Sequence, residues 1–266
     1  MLQDVQAAPD VRGIPLDEVG IEGLRYPVLI SNGQGDKRET VATANMSVSL
    51  DPGVKGAHLS RFIEVLHSWR EQLGSESAIG IADDLRERMG STRARVHMAF
   101  PYFLERSAPV TGARAFVEYS CAVSAVSTRE GSSLVLQVVV PVTSVCPCSK
   151  AISDRGAHNQ RGRITIDVRP ADRPTDLWFD ELIAIAEGAG SSPVYALLKR
   201  PDERHVTMAA YDNPVFVEDM VRNVAQSISD DSNRIGAYRI RAVNDESIHN
   251  HAAFAELAWT STSGGV

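Results

Sequence analysis

From residue 39 to residue 50 the chain alternates. Ala42, Ala44, Met46, Val48 and Leu50 fall on one face, and Val41, Thr43, Asn45, Ser47 and Ser49 on the other. A period of two predicts a strand with its wholly apolar face buried, ended by the turn signal Asp51-Pro52-Gly53. The period then lengthens: Phe62, Val65, Leu66, Trp69 and Leu73 recur at helical spacing with Ser60 placed as N-cap. A second helix is predicted over 79–89, after the Gly74-Ser75 break. Extended runs follow over 92–104, 113–126 and 132–145, the last nearly all apolar and so predicted to be central.

The second half repeats this plan in part. Ile164, Ile166 and Val168 alternate as a strand over 163–168, and Thr175 or Asp176 is placed to cap a helix carrying Leu177, Leu182, Ile183 and Ala186. A further helical segment is predicted over 192–199. The strongest helix signal covers 214–229, with Asn213 as N-cap, Pro214 at the first helical position and Val217, Val221, Val224 and Ile228 on one stripe. Strands over 237–243 and 252–259 come last. Two halves of similar element order predict an α+β fold built as an internal duplication of antiparallel strands with paired helices on one face. The expected division is an N-terminal arm over 1–20, a first unit over 21–145, a cysteine loop and second unit over 146–260, and a polar tail over 261–266.

Composition narrows the function classes. Of 266 residues, 43% are apolar and 23% charged, the balance of a globular protein with a substantial core. The net charge of -7 argues against non-specific nucleic-acid binding, which needs a basic face, and requires any polyanionic ligand to be held by a local basic cluster. No run approaches the roughly 18 apolar residues of a membrane span, and the first ten residues do not read as a signal peptide. Three cysteines are an odd number, against a disulfide framework. A reduced, cytoplasmic protein is expected.

The chemistry concentrates in one stretch. Cys146-Pro147-Cys148 ends the apolar run before it, and His158 lies downstream within Gly156-Ala157-His158-Asn159-Gln160-Arg161. Thiolate and imidazole are ligands that zinc-class metals prefer, and a catalytic site needs about three protein ligands. Two cysteines separated by one residue are poorly placed for a disulfide, so metal binding or nucleophilic chemistry leads. Cys121, among apolar neighbours, is expected to be a buried core thiol. Glu203 reads either as an ordinary surface charge or as the third ligand that a cysteine and a histidine leave a zinc-class site short of. Of Glu218 and Asp219 on the 214–229 helix, one is expected to face inward beside the apolar stripe. Glu246, His249 and His251 form a second polar cluster. Lys55, His58, Arg61, Lys199 and Arg200 form two basic clusters suited to a polyphosphate.

Six segments together carry a family likeness: Lys55-Gly-Ala-His58-Leu-Ser-Arg61-Phe, Thr143-Ser-Val-Cys146-Pro-Cys148-Ser-Lys, Gly156-Ala-His158-Asn-Gln-Arg161, Lys199-Arg200-Pro-Asp-Glu203, Asn213-Pro-Val-Phe-Val-Glu218-Asp and Glu246-Ser-Ile-His249-Asn-His251. The set resembles that of the prokaryotic type IB GTP cyclohydrolases. The resemblance implies a tunnelling fold assembled as a homotetramer, and conversion of GTP and water to 7,8-dihydroneopterin triphosphate and formate at the entry to folate synthesis. It also implies a divalent zinc, manganese or iron held by one of Cys146 and Cys148 with His158 and Glu203. One of those cysteines would be catalytic. Glu218 would anchor the base, His158 or His249 would transfer protons, and Lys55, His58, Arg61, Lys199 and Arg200 would hold the triphosphate. Two alternatives remain: the nitrile reductase of queuosine synthesis, whose Glu-Ser-Lys-Ser type cofactor segment this sequence lacks, and a zinc-stabilised binding module without catalysis.

Overall fold

The computed structural model describes residues 9–31, 37–71, 74, 77–171, 177–229 and 233–260. Among these described residues nine strands and six helices succeed one another as β1 (Leu16–Ser31), β2 (Lys37–Leu50), α1 (Leu59–Trp69), α2 (Ser77–Met89), β3 (Arg93–Ser107), β4 (Arg114–Thr128), β5 (Ser132–Val145), α3 (Pro147–Ile152), β6 (Asn159–Pro170), α4 (Phe179–Ala189), β7 (Ser192–Pro193), α5 (Arg200–Asp212), α6 (Val217–Ser229), β8 (Ile235–Asn244) and β9 (Ala253–Thr260). The strands hydrogen-bond in the order β1-β2-β3-β4-β5-β6-β8-β9, with β7 on β5. This is the α+β class expected.

The chain forms two compact units, one of residues 1–100 and 122–136, the other of residues 101–121 and 137–266. In the first, β1, β2 and β3 pair antiparallel and α1 packs on α2. The apolar face of β2 is the buried one: Ala42, Ala44, Met46, Val48 and Leu50 are all sequestered. In the second, β6, β8 and β9 pair antiparallel, and α4 and α6 pack together. Val217, Met220, Val221, Val224 and Ile228 of α6 are buried, each worth roughly 1.5–3 kcal/mol relative to exposure.

Several expectations are corrected. β1 begins at Leu16, inside the expected arm, and the chain ahead of it is tied down by a Pro9–Val54 bridge and a hydrogen bond from Asp10 N to Gly53 O (3.0 Å). Its alternation is hidden because register shifts fall between Leu16 and Val19 and between Ile21 and Leu24, around Gly23 at φ 70°. Each extra residue of a bulge reverses the parity of the strand beyond it. His58, not Ser60, is the N-cap of α1. The helix expected over 192–199 is absent: a two-residue strand and irregular chain occupy it, and α5 starts at Arg200. Asn213 closes α5 instead of opening α6, its Nδ2 donating to Gly190 O (3.1 Å). Phe216 immediately precedes α6, and Asp219, at the third helical position, reaches back so that its Oδ2 accepts from Phe216 N (3.0 Å). Trp178 precedes α4, and Thr175, Asp176 and the 261–266 tail lie outside the described residues.

Candidate active site

Cys146 and His158 are clamped to one another through backbone. Cys146 N donates to His158 O (3.1 Å), and His158 N donates to Ser149 Oγ (3.1 Å). Pro147 sets the first turn of α3, where its missing N–H costs nothing, and Cys146 takes the N-cap position with its Sγ accepting from Ser149 N at 3.4 Å. Cys146 is half-buried, whereas Cys148, inside the short helix, is exposed; all three cysteines are free. Cys121 is the buried core thiol expected, and burial, with Asp180 nearby, pushes its ionisation well above the usual thiol range. The His158 ring is mostly covered, at 15% side-chain exposure, and its Nδ1 lies 2.9 Å from Gln160 Oε1 and 3.8 Å from Glu246 Oε2.

The start of α6 meets the same corner. Val215 N donates to Val145 O (3.1 Å), and Ser144 Oγ donates to Val215 O (3.1 Å), so the strap into α6 is stitched to the last residues of β5. Glu218 lies in the first turn of α6 and is exposed; Asp219, only partly covered, accepts from Phe216 N and pairs with Arg222. Neither acid is buried in the core. Glu246, His249 and His251 come after β8 in a turn: His249 N donates to Glu246 O (3.2 Å), and the imidazoles of His249 and His251 stack with centroids 5.0 Å apart.

Lys199, Arg200 and Glu203 stand apart from this corner. Lys199 and Arg200 are exposed at the start of α5, and Glu203 is exposed on its first turn. The other end of α5 is the one tied to the cysteine loop, where Lys150 Nζ donates to Tyr211 O and sits 4.2 Å from the Tyr211 ring centroid. Glu203 and Tyr211 are eight positions apart on this helix, about 12 Å of axial rise. Accordingly, among the described residues no three His, Cys, Asp or Glu side chains gather as a metal ion would need. Lys55, His58 and Arg61 belong to the other compact unit, where Arg61 Nη1 donates to Arg88 O (3.0 Å).

Sequence reading missed the residue that holds the α5 end in place. Asp202 is fully buried and accepts from Val110 N, Thr111 N and Lys199 N (2.9 Å each) and from Thr111 Oγ1 (2.6 Å). Burial pushes its carboxyl up, but these hydrogen bonds outweigh it and hold the group well below the usual carboxylate range. A folded value below the unfolded value of about 3.9 means the stabilisation is present above about pH 4 and is lost as pH falls through the folded value. Asp202→Asn is therefore expected to melt at a lower temperature than wild type at pH 7, with the gap closing as melts are taken at successively lower pH below 4. A gap that stays constant with pH would show that the carboxylate charge is not what holds the loop.

Three further buried polar residues, Ser144, Gln160 and Asn244, were legible in principle. Each continues the buried parity of its strand, after Val140 and Val142, before Ile164 and Ile166, and after Ile240 and Ala242 respectively. A polar side chain where alternation demands an apolar one is a signal in its own right.

Comparison with known proteins gives two results. Among solved structures, the chain is similar to the uricase from Arthrobacter globiformis, with TM-score 0.54 over 94% of this chain and 96% of that one at 10% identity, and to a hyper-thermostable mutant of that enzyme at TM-score 0.51. At such identity the likeness establishes the fold alone, which is the tunnelling fold. The chain is 46% identical to the GTP cyclohydrolase FolE2 of Methylococcus capsulatus over 96% of its length and 93% of the relative's. It is 43% identical to that of Geotalea uraniireducens over 100% and 96%. With the family model "Type I GTP cyclohydrolase folE2" matching residues 2–255 as well, this chain belongs to the FolE2 family of type I GTP cyclohydrolases.

Proposed function

We propose that the chain hydrolyses GTP to 7,8-dihydroneopterin triphosphate and formate, the first step of tetrahydrofolate synthesis, at a site centred on Cys146 and His158. The single observation that carries this beyond family membership is the backbone clamp between those two residues, with the strap leading to Glu218 stitched beside it.

A divalent metal fits the donor chemistry at this corner: one half-buried thiol and one imidazole whose Nδ1 is already engaged, leaving Nε2 to coordinate. Cys146 and His158 would hold it. Cys148 is too exposed to be the preferred thiol, and Glu203 would join only from a position that this chain alone does not give it. When bound, such a cation supplies Lewis acidity that activates water near neutral pH. Zinc and iron suit a thiolate and an imidazole, whereas manganese would depend on an added oxygen donor such as Glu203.

The chain's own residues do the rest. Glu218 accepts hydrogen bonds from the ring N–H and exocyclic amine of guanine. His249, held by its turn next to Glu246, gives a proton to the departing ring nitrogen, a task matched to an imidazole. Lys199 and Arg200, exposed together at the head of α5, meet the triphosphate, with Lys55, His58 and Arg61 as the second basic cluster. Assembly as a homotetramer would be the means of bringing both basic clusters to one substrate.

Chelation separates catalysis from a purely structural metal. Stripped of metal, the protein is expected to keep its far-UV circular dichroism and its melting profile to within a few degrees, to lose formate release, and to regain it on addition of zinc or manganese. Unfolding on chelation would instead favour a zinc-stabilised module.

A further inference from the structure

Behind the Cys146–His158 corner lies a sealed polar hub. Ser144 and Asn244 are each 1% exposed and Gln160 7%. Gln160 Nε2 and Asn244 Nδ2 both donate to Ser144 Oγ at 3.1 Å, and Ser144 Oγ donates to Val215 O at 3.1 Å. A serine hydroxyl has one proton to give and two lone pairs to receive with, so Ser144 is saturated. Gly162 makes room for the hub: a Cβ there would stand 2.7 Å from Asn244 Oδ1. That oxygen has no partner among the described residues.

The directions of these bonds are set by the one group that cannot change sides. Val215 O is a carbonyl and can only accept, so the Ser144 proton points to it. Ser144 must then receive from its other two neighbours, which turns the NH2 of Gln160 toward it. That leaves Gln160 Oε1 facing His158 Nδ1 at 2.9 Å, and an amide oxygen can only accept. The proton of the neutral imidazole is therefore on Nδ1, and Nε2 carries the lone pair.

We propose that Ser144 and Gln160 are positioning residues that fix the tautomer of His158, so that Nε2 is presented as a ligand with no proton to displace. The same hub ties four segments together, the end of β5, the start of β6, the end of β8 and the strap into α6. The hub's support of a metal ligand rests on the cyclohydrolase reading; the tautomer itself does not.

Two measurements test this. Long-range 1H–15N correlation on metal-free wild-type protein labelled at its seven histidines is expected to show His158, assigned by comparison with His158→Ala, as the Nδ1–H form. Zinc affinity, read by competition with a chromogenic chelator, is expected to fall about 10- to 100-fold in Ser144→Ala and in Gln160→Met, the range typical of losing the hydrogen-bond partner behind a ligand. Gln160→Glu keeps an acceptor on Nδ1 while losing the amide donor to Ser144, and is expected to bind zinc more tightly than Gln160→Met. An Nε2–H form in the wild type would overturn the proposal without any variant. So would wild-type zinc affinity in Gln160→Met, because Glu246, 3.8 Å from the same nitrogen, would then be the residue that matters. Failure of the wild-type protein to bind zinc would sink the cyclohydrolase reading instead, and the tautomer measurement would still decide the relay.

Discussion

Cys146→Ala and His158→Ala are each expected to lower formate release from GTP by on the order of 10³-fold or more, the scale of losing a principal electrostatic element of a site. The fold should survive both. Cys146 contributes one sulfur-accepted hydrogen bond at the head of a six-residue helix, and loss of a cap costs about 1 kcal/mol. The backbone pairing of Cys146 N with His158 O is untouched by either substitution. His158 stands at the first step of a buried network, but its own side chain ends that network and its removal leaves only Gln160 Oε1 short of a partner. Cys148→Ala is the informative contrast. That thiol is exposed, so its loss should leave metal content near wild type, whereas Cys146→Ala and His158→Ala should both abolish tight zinc binding. Metal loss in Cys148→Ala with retention in Cys146→Ala would reverse the assignment of the two thiols.

How far the sequence disclosed this site depended on what kind of regularity each part carries. β2 and β6 hold strict alternation, and α6 a long apolar stripe, because each buries a single face against one layer; those elements are readable at the level of periods. The cysteine loop was readable because Cys, Pro and His are scarce residues whose chemistry is specific. β1 was obscured by its bulges. The 192–213 region was misassigned because Pro193 and Pro201 can each begin or break an element, and only the tertiary bonds of Asn213 and Asp202 decide which. The capping role of Asp219 was likewise invisible: two adjacent acids in a first turn look alike until one is seen to accept from Phe216 N. Nor does the chain show from its pattern alone which acids share a site, since Glu203 and Glu218 sit on different helices with separate anchors.

Glu218→Ala is expected to raise KM for GTP on the order of 10³-fold, the scale of losing two hydrogen bonds to a charged group, with little change in melting temperature. The carboxylate is exposed and no hydrogen bond to it contributes to the fold among the described residues, so its loss should cost the fold no more than the small helix-dipole contribution of a first-turn acid. An acceptor pair that takes the ring N–H and the exocyclic amine of guanine discriminates sharply against bases that cannot supply both, because the charged oxygen is then left desolvated without a partner. The test is the ratio of kcat/KM for GTP and for inosine triphosphate, which lacks the amine. Wild type should favour GTP by a factor that collapses toward one in Glu218→Ala. Asp219→Ala supplies the control in the opposite sense: it removes the hydrogen bond that Phe216 N makes at the head of α6, should lower the melting temperature through a loss of about 1 kcal/mol, and should leave the GTP to inosine triphosphate ratio where it was. Equal discrimination in Glu218→Ala and wild type would remove the base-anchoring role from this residue.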